Sequence, residues 1–535
     1  MILDLAALQP GAAELDRPDA IAVVGSGAAG LAVALRLEEL GRPVVLVESG
    51  GDPRDGEAVA AAAPLNGGEV VGQQYRGLTD GRQRSLGGAT QLWHGQCTRL
   101  RDGDLSPRPW LPHSGWPLDL ADLDPWYEAA ERWFELSGRG YDRGRWTEHR
   151  RLSPLPWTAD RLLDDFAEYT PMPHLGDRFR QHLRTSTTVQ TLVSATAVGV
   201  RVEGDRVRGV ELRDPSGREL FLTVGTVVLA AGAVESARLL MLSDPEGVGL
   251  GAGRELTGRY LQDHPVAALL EVVPTRRAWL QDRTSHLFAR DSRIWPKVRL
   301  APAAQEREEL VAANAVLVHE VDEPELDAVR RLAGALRRRR LPDDLGTDLR
   351  LAVRAVLPTV RTGWRRWVRG LASGRPASRV RLDVWLEQVP DPESRVTLDA
   401  DRRDAFGFPS PRVDWRVSET EVRTSRTMAR WVAEDLRTHG LAEVTELPAM
   451  TDDEAWRASV ADAFHPAGTT RMSTDPTTGV VDPDLRVHGV DGLYVASSSV
   501  FPIAGYANPT LTIVALALRL AEHLVRQREV SDHPA

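Results

Sequence analysis

The sequence predicts an α/β protein built on a Rossmann-like dinucleotide-binding layer, with at least one further structural unit. Near the N-terminus, an apolar run, a glycine-rich turn, a helical run and a second apolar run follow one another between residues 21 and 48. Later, the apolar run Leu220–Ala230 ends in Ala231-Gly232 and enters a helical pattern, which is a second strand-to-glycine-to-helix element. At 535 residues the chain is too long for one hydrophobic core, so we expect two or three units.

The first βαβ unit carries the glycine spacing that binds a pyrophosphate. Its strand, helix and second strand are predicted at Ile21–Val24, Leu31–Leu40 and Val44–Val47. Gly25 permits a tight turn, Gly27 lets a phosphate approach the backbone, and Gly30 lets the helix pack closely on the sheet. Glu48 follows at the spacing of an acid that accepts hydrogen bonds from a ribose. The pattern predicts dinucleotide binding without separating FAD from NAD, and an ordinary glycine-rich loop is the alternative.

Two turns shaped by glycine and proline lie near the C-terminus. The first contains His465 within Phe464–Gly468, and the second contains Asn508 within Gly505–Pro509. A helix is predicted from Pro509 to about His523, with Asn508 as a candidate N-cap. An imidazole, an amide and the positive end of a helix suit a site where negative charge develops. The residues alone leave open a purely structural histidine and a purely capping asparagine.

The remaining predicted elements are short. Helical patterns occur at Leu123–Leu136, Glu235–Leu242 and Ser418–His439. Strand-like runs occur at Thr188–Val202, Val207–Leu212, Leu220–Ala230, Arg381–Val389 and Ser394–Leu398. The glycine cluster Gly247–Gly253 follows polar residues, so we predict a loop and not a second nucleotide site. The Arg-rich stretch Arg330–Arg369 is predicted to form solvated helices of an insertion, and a basic surface for a membrane or partner is the alternative.

Composition narrows the function classes. The net charge of −10 argues against nucleic-acid binding, and a single cysteine, Cys97, excludes an intrachain disulfide. Residues 1–20 lack a basic signal region, and no apolar run approaches the roughly 18 residues of a membrane helix, so we expect a cytoplasmic protein without membrane contact. No metal site is predicted. The presence of only one lysine, Lys297, is interpreted as a consequence of genome base composition. The oligomeric state stays open.

Several separate stretches resemble the glucose–methanol–choline (GMC) family of flavin-dependent alcohol oxidoreductases. They are Gly25–Glu48, Ser85–Thr90, Val228–Ser236, Thr257–Pro265, Glu387–Val396 and the segment that contains His465 and Asn508. The resemblance implies a Rossmann-like FAD-binding domain of GMC type with a second, mixed-sheet-plus-helices substrate domain. It also implies an interleaved order: 1–109 and 188–268 bind FAD, 110–187 is a substrate or cap region, 269–454 is the substrate-binding domain with the insertion near 325–375, and 455–535 returns to the FAD domain.

The resemblance further implies an activity and its residues. The expected reaction is the oxidation of a hydroxyl group on a sugar, glycoside or related polyol, aminoglycosides included, to a ketone or aldehyde, with oxygen or another electron acceptor. His465 would take the hydroxyl proton while a hydride passes to flavin N5, and Asn508 would complete a His/Asn pair. Gln388 is expected to contact the substrate. A lyase of the same family and a non-catalytic flavin-binding sensor stay open as alternatives.

FAD is the expected cofactor, bound without a covalent bond; attachment through His94 is the alternative. The residues expected to contact it are Gly25, Gly27, Ala28, Ala29, Gly30, Glu48, Ser49, Gly87, Gly88, Ala89, Thr90, Trp93, His94, Gly95, Ala197, Ala231, Gly232, Ser498, Pro509 and Thr510.

Overall fold

The computed structural model describes most of the chain. The described residues are 1–7, 14–149, 152–244, 246, 248–289, 291–321, 328, 331–332, 345–350, 352, 364–365, 370–371 and 377–532. Most of the predicted insertion near 325–375, including Arg337–Arg340, lies outside them. Among the helices that are described, none is both long and apolar enough to cross a membrane.

A six-stranded parallel sheet forms the predicted Rossmann-like layer. Its strands, in spatial order, are Ile2–Asp4, Val189–Val193, Val44–Val47, Ile21–Val24, Thr226–Leu229 and Leu493–Val495. The two central strands of the first βαβ unit are buried at every residue, as expected for a parallel sheet covered on both faces. Helix Ala28–Glu39 packs against the C-terminal helix Thr510–Asp532 on this sheet. The strands come from three separate stretches of the chain, so the layer is assembled from distant segments.

A larger antiparallel sheet forms the second layer. Its strands, in spatial order, are Ala442–Glu446, Val266–Pro274, Arg379–Leu386, Ala313–Glu320, Arg293–Leu300, Leu162–Tyr169 and Gln96–Cys97, and Leu287–Phe288 pairs beside Arg293–Leu300. Helix Glu419–Thr438 covers one face, where its Val432 lies near Pro296 and Val298. The other face carries Trp385, whose ring centroid lies 6.4 Å from that of His465. This sheet therefore forms one wall beside the C-terminal turns.

Two small sheets and several helices complete the fold. The strands of the small sheets are Glu14–Asp16, Glu219–Thr223, Arg206–Arg213 and Thr196–Glu203 in one, and Arg395–Arg403, Pro409–Trp415 and Glu69–Gly72 in the other. The further helices are Gly56–Ala62, Asp102–Leu105, Leu120–Trp133, Leu175–Thr185, Gly232–Leu242, Arg277–Thr284, Pro302–Glu308 and Asp453–Ser459.

Some predicted elements differ from the observed ones for local reasons. The run Thr188–Val202 splits into two strands of different sheets, because Ser194 takes the left-handed conformation (φ +53°) and turns the chain between them. The C-terminal helix begins at Thr510 and continues through Asp532, beyond the predicted end near His523. The described residues of the cluster Gly247–Gly253 lie in neither a helix nor a strand, as predicted.

Candidate active site

The glycine fingerprint has the geometry that a bound pyrophosphate requires. At Gly25 φ is +102°, and a Cβ atom there would lie 2.6 Å from the Ala230 carbonyl oxygen. A Cβ atom at Gly30 would lie 1.8 Å from the Gly25 carbonyl oxygen, so helix and turn are in direct backbone contact. At Gly27, in contrast, a Cβ atom would meet nothing within 4 Å. The open side of Gly27 lies at the N-terminus of helix Ala28–Glu39, where backbone N–H groups favour an anion.

Glu48 lies buried at the end of the second strand, beside this turn. Its carboxylate accepts hydrogen bonds from Ser26 N (3.0 Å), Ser26 Oγ (2.6 Å) and Gly50 N (3.0 Å). Burial raises the pKa of Glu48, and these three hydrogen bonds oppose that rise. A carboxylate offers about four acceptor positions. Glu48 therefore holds the glycine turn and keeps acceptor capacity for a ribose hydroxyl.

The other predicted cofactor loops adjoin the fingerprint. Gly87 N donates to Ser26 Oγ (3.1 Å), and a Cβ atom at Gly88 would lie 3.1 Å from the Gly27 Cα atom. Ala231 and Gly232 begin the helix that follows Thr226–Leu229, the strand next to the fingerprint strand. These glycine-lined loops and the buried acid fit FAD, whose pyrophosphate would lie against Gly27 and whose ribose would lie near Glu48.

The remaining predicted cofactor residues lie around these loops, and some of them make hydrogen bonds to other protein groups. Ser49 Oγ lies 2.8 Å from Thr196 Oγ1, next to Ala197. Trp93 Nε1 donates to the Pro173 carbonyl oxygen (2.7 Å). In the segment 87–95, Ala89 and His94 are exposed whereas Thr90 and Gly95 are buried. Ser498 Oγ donates to the Pro466 carbonyl oxygen (2.6 Å), so the Ser498 turn lies against the His465 turn. Pro509 and Thr510 form the start of the C-terminal helix.

His465 and Asn508 lie side by side, and hydrogen bonds from neighbouring side chains orient the amide of Asn508. Asn508 Oδ1 accepts a hydrogen bond from Gln96 Nε2 (2.6 Å), and Gln96 Oε1 accepts one from the Tyr169 hydroxyl (3.2 Å). This orientation turns Asn508 Nδ2 toward His465 Nε2, at 3.4 Å. The Asn508 side chain is therefore engaged by Gln96 and His465, and the predicted capping of the C-terminal helix by this residue is wrong.

These contacts also fix the protonation of His465. Because Asn508 Nδ2 is a donor, His465 Nε2 must be an acceptor and the ring proton must sit on Nδ1. His465 Nδ1 lies 3.0 Å from Nδ1 of a second histidine, His264, which accepts that proton in a hydrogen bond. Burial is the main cause that lowers the pKa of both rings, to about 4 for His264 and well below the usual value for His465. Both imidazoles are thus neutral near pH 7, and His465 Nε2 carries no proton.

Asp263 holds the backbone of the His465 turn. This carboxylate is fully buried and accepts hydrogen bonds from His465 N (3.0 Å), His264 N (2.7 Å) and the Tyr75 hydroxyl (2.9 Å). Burial raises the pKa of Asp263 to about 7. Phe464, directly before His465, is held at φ +61°, a conformation that costs free energy and persists only because the surrounding structure imposes it. Sequence reasoning assigned Asp263 no role, although it lies within the stretch Thr257–Pro265 that carries part of the family resemblance.

Gln388, the predicted substrate contact, lies beneath this turn. It is fully buried, and its Oε1 atom accepts hydrogen bonds from Asp263 N (2.8 Å) and Trp415 Nε1 (2.8 Å). Its Nε2 atom donates to the Arg416 carbonyl oxygen (2.7 Å). With its amide engaged by protein groups, Gln388 is placed to position Asp263 and not to touch a substrate.

Aromatic side chains and the sole lysine form the facing wall, which sequence reasoning missed. The rings of His286 and Trp295 are stacked with centroids 5.0 Å apart, and His286 Nε2 lies 3.0 Å from the Tyr169 hydroxyl. Lys297 Nζ lies 5.5 Å from the Trp295 ring centroid and 5.8 Å from that of Trp385. Burial lowers the pKa of Lys297 to about 8, so it is mostly charged at neutral pH. Within the described ranges, no cluster of three or more His, Cys, Asp or Glu residues could hold a metal ion.

Comparisons with known proteins find matches along most of the chain. A family model described as GMC oxidoreductase matches residues 390–517, and one described as FAD dependent oxidoreductase matches residues 20–248. The 6'''-hydroxyparomomycin C oxidase of Streptomyces lividus is 27% identical over 97% of this chain and 94% of that protein. The paromamine 6'-oxidase of Streptomyces fradiae is 26% identical over 97% of this chain and 93% of that protein.

A solved structure supports the fold. A formate oxidase variant from Aspergillus oryzae RIB40 superposes with a TM-score of 0.56 over 96% of this chain and 98% of that chain, at 18% identity. Matches to both ends of the chain, relatives along nearly its whole length and a shared fold lead to one assignment. Residues 390–517 therefore form a GMC oxidoreductase domain and residues 20–248 an FAD-dependent oxidoreductase domain, and the chain is an FAD-dependent enzyme that oxidises alcohols.

Proposed function

We propose that this enzyme oxidises a hydroxyl group of a sugar, glycoside or related polyol to a ketone or aldehyde, with His465 as the base. The observation that carries the proposal is the oriented pair of His465 and Asn508. One atom of the pair, His465 Nε2, accepts, and the other, Asn508 Nδ2, donates. A substrate hydroxyl placed between them gives its proton to the imidazole and accepts from the amide.

Each side chain in this site has one task. Asn508 holds the substrate oxygen in place, and Gln96 prevents the amide from rotating. His264 keeps the His465 proton on Nδ1, so that Nε2 is free to accept. Bound FAD supplies the acceptor for the hydride that leaves the alcohol carbon. Because burial makes His465 a weak base, we expect it to take the proton as the hydride leaves and not in a separate earlier step.

The substrate class is supported by the wall and by the relatives. Trp295 and Trp385 offer apolar faces, and Lys297 offers a charged donor beside them. The two Streptomyces relatives are named for the oxidation of aminoglycosides. A small hydroxylated ring with both apolar faces and polar edges suits such a wall, and oxygen or another acceptor would reoxidise the enzyme.

An anaerobic substrate panel tests the proposal. Sugars, polyols and aminoglycosides are mixed with the oxidised holoenzyme, and loss of the yellow flavin absorbance is followed before and after air is admitted. Bleaching by members of the panel supports the proposal, and recovery of colour in air identifies oxygen as an acceptor. A lyase would convert its substrate without bleaching, and a sensor would give neither bleaching nor product.

Non-covalent FAD is part of the proposal. His94, the candidate for attachment, is exposed. We expect acid precipitation to release the flavin into the supernatant, whereas a yellow pellet would contradict this.

A further inference from the structure

A row of polar side chains crosses the site-facing side of the large sheet. Three of its strands, Leu162–Tyr169, Arg293–Leu300 and Ala313–Glu320, carry Asp165, Lys297 and Asn314. Lys297 pairs directly with Asp165, Asn314 pairs with Arg299, and Trp385 pairs with Asn314. Directly paired residues of antiparallel strands point to the same face, as do residues two apart on a strand. The row therefore shares the face from which Trp385 approaches His465.

The members of this row are buried and incompletely bonded. Lys297 is 8% exposed and makes no hydrogen bond or salt bridge with any residue that the structure describes. Asp165 Oδ1 accepts from Arg101 Nη2 (2.6 Å), but its Oδ2 atom has no partner among the described residues. The same holds for Asn314 Oδ1 and for Trp385 Nε1. Buried polar atoms are almost always hydrogen-bonded in folded proteins, so the last three atoms, like the ammonium group of Lys297, are available to water or to a ligand.

The set contains both kinds of hydrogen-bonding group. Lys297 and the Trp385 indole donate, whereas Asp165 Oδ2 and Asn314 Oδ1 accept. An ammonium substituent would meet the charge of Lys297. Although Arg101 pairs with one oxygen of Asp165, a carboxylate or phosphate only accepts hydrogen bonds and would leave Asp165 Oδ2 and Asn314 Oδ1 unpaired. A hydroxyl group is neutral, accepts from the lysine and donates to the carboxylate or the amide oxygen. Among common sugar substituents it alone suits both sides of the row.

We propose that Lys297, Asp165 and Asn314 form a second substrate subsite, which binds a hydroxyl group remote from the carbon that is oxidised. This inference rests on the proposed function. It makes the enzyme selective for a neutral polyhydroxylated ring, and it rejects a substrate that carries an amino group at the same position. The row then separates this enzyme from a general aminoglycoside oxidase.

The first experiment compares substrates. The best sugar of the anaerobic panel is tested beside its monodeoxy, amino-deoxy and uronic acid derivatives, and kcat/KM for flavin reduction is measured by stopped flow. At one position, removal of the hydroxyl should lower kcat/KM by about 10- to 100-fold, the effect of losing a hydrogen bond to charged groups. The amino-deoxy derivative should be at least as poor. A wild-type enzyme that prefers the amino or acid form at every position would overturn the subsite.

The second experiment compares variants. Lys297→Met should lower kcat/KM for the parent sugar by about the same factor, leave the matching deoxy sugar unchanged and reduce discrimination against the amino sugar. Lys297→Arg keeps a cation and should restore part of the preference. Arg381→Met is the matched control, because Asp383 already neutralises this cation on the same sheet face (2.6 Å). Equal losses on all substrates in Lys297→Met would assign the lysine a merely structural role.

Two further readouts keep the test decisive. Flavin content and melting temperature show whether Lys297→Met folds, and Asp165→Asn provides an independent change to the row. Tryptophan fluorescence titrations with the same sugars report binding, since Lys297 lies beside two indole rings. If sugar binding weakens in Lys297→Met but no sugar reduces the flavin of the wild type or of either variant, the proposed oxidation is refuted and the subsite is retained. Titrations that are identical in wild type and both variants would refute the subsite itself.

Discussion

At the scale of single residues, the site depends on the direction of each hydrogen bond. Gln96 fixes Asn508, Asn508 donates toward His465 Nε2, and His465 donates from Nδ1 to His264. If the direction of any one of these hydrogen bonds were reversed, a proton would lie on His465 Nε2, the nitrogen that is proposed to act as the base. The geometry therefore sets one tautomer of His465.

His264 is the residue whose removal tests that orientation. In His264→Phe the acceptor for the Nδ1 proton is lost, and we expect flavin reduction to slow about 10- to 100-fold, as when an orienting partner of a histidine is removed. Flavin absorbance and substrate binding should change little. His319→Gln is the matched control: His319 is a half-buried histidine whose pKa is also lowered to about 4, but its partner is Thr284. Equal effects in both variants would contradict a positioning role for His264.

The pH dependence of flavin reduction follows from burial of the same rings. The pKa of His465 is lowered, so its neutral form persists as the pH falls through the ordinary histidine value near 6.5. The rate should be lost only at lower pH, as the buried ring finally takes a proton. Stopped-flow reduction measured from pH 5 to pH 8 checks this. An acid limb centred at or above 6.5 would show that a group other than a desolvated His465 controls the rate, Asp263 with its pKa of about 7 included.

At the scale of secondary-structure elements, the fingerprint turn and its helix are the most constrained part. Gly30→Ala would place a methyl group against the Gly25 carbonyl oxygen, so we expect the protein to lose most of its FAD. The ratio of flavin to protein absorbance in purified material measures this. Gly56→Ala is the control, because a Cβ atom there meets nothing within 4 Å at the start of another helix. Normal flavin content in Gly30→Ala would contradict the tight helix–turn contact.

The elements show which parts of the structure the sequence could predict. Strands Ile21–Val24 and Val44–Val47 could be predicted because they are apolar throughout. The start of helix Glu419–Thr438 could be predicted from its capping residue, Ser418. Strand Arg293–Leu300 was missed, because Pro296 is typical of a strand break and the site-facing residues other than Trp295 are charged. The presence of a single lysine, Lys297, was interpreted as a consequence of genome base composition. Its position in the site could not be predicted, because that position depends on pairing between strands far apart in the sequence. Asn508 was predicted correctly as a neighbour of His465, but its orientation depends on Gln96.

At the scale of the whole molecule, the FAD-binding layer is assembled from segments that lie far apart in the sequence. Its sheet contains strands from residues 2–47, 189–229 and 493–495, a division similar to the predicted order of segments, which itself stays a prediction. A ligand that bridges such segments stabilises all of them together. Removal of FAD should therefore lower the stability of the whole chain.

Melting curves of apoprotein with added FAD check this. Binding to the folded state alone adds about 2.7 kcal/mol at a FAD concentration 100 times its Kd. We expect one cooperative transition that moves to higher temperature with FAD concentration. A melting temperature that does not respond to FAD would contradict a bridging role.

The most direct test of the proposed chemistry is single-turnover reduction of the flavin in His465→Ala under anaerobic conditions. With a sugar that bleaches the wild-type enzyme, we expect the variant to retain FAD and substrate binding and to be reduced about 10²- to 10⁴-fold more slowly, the usual contribution of a positioned base. Reduction at the wild-type rate would show that another group takes the hydroxyl proton.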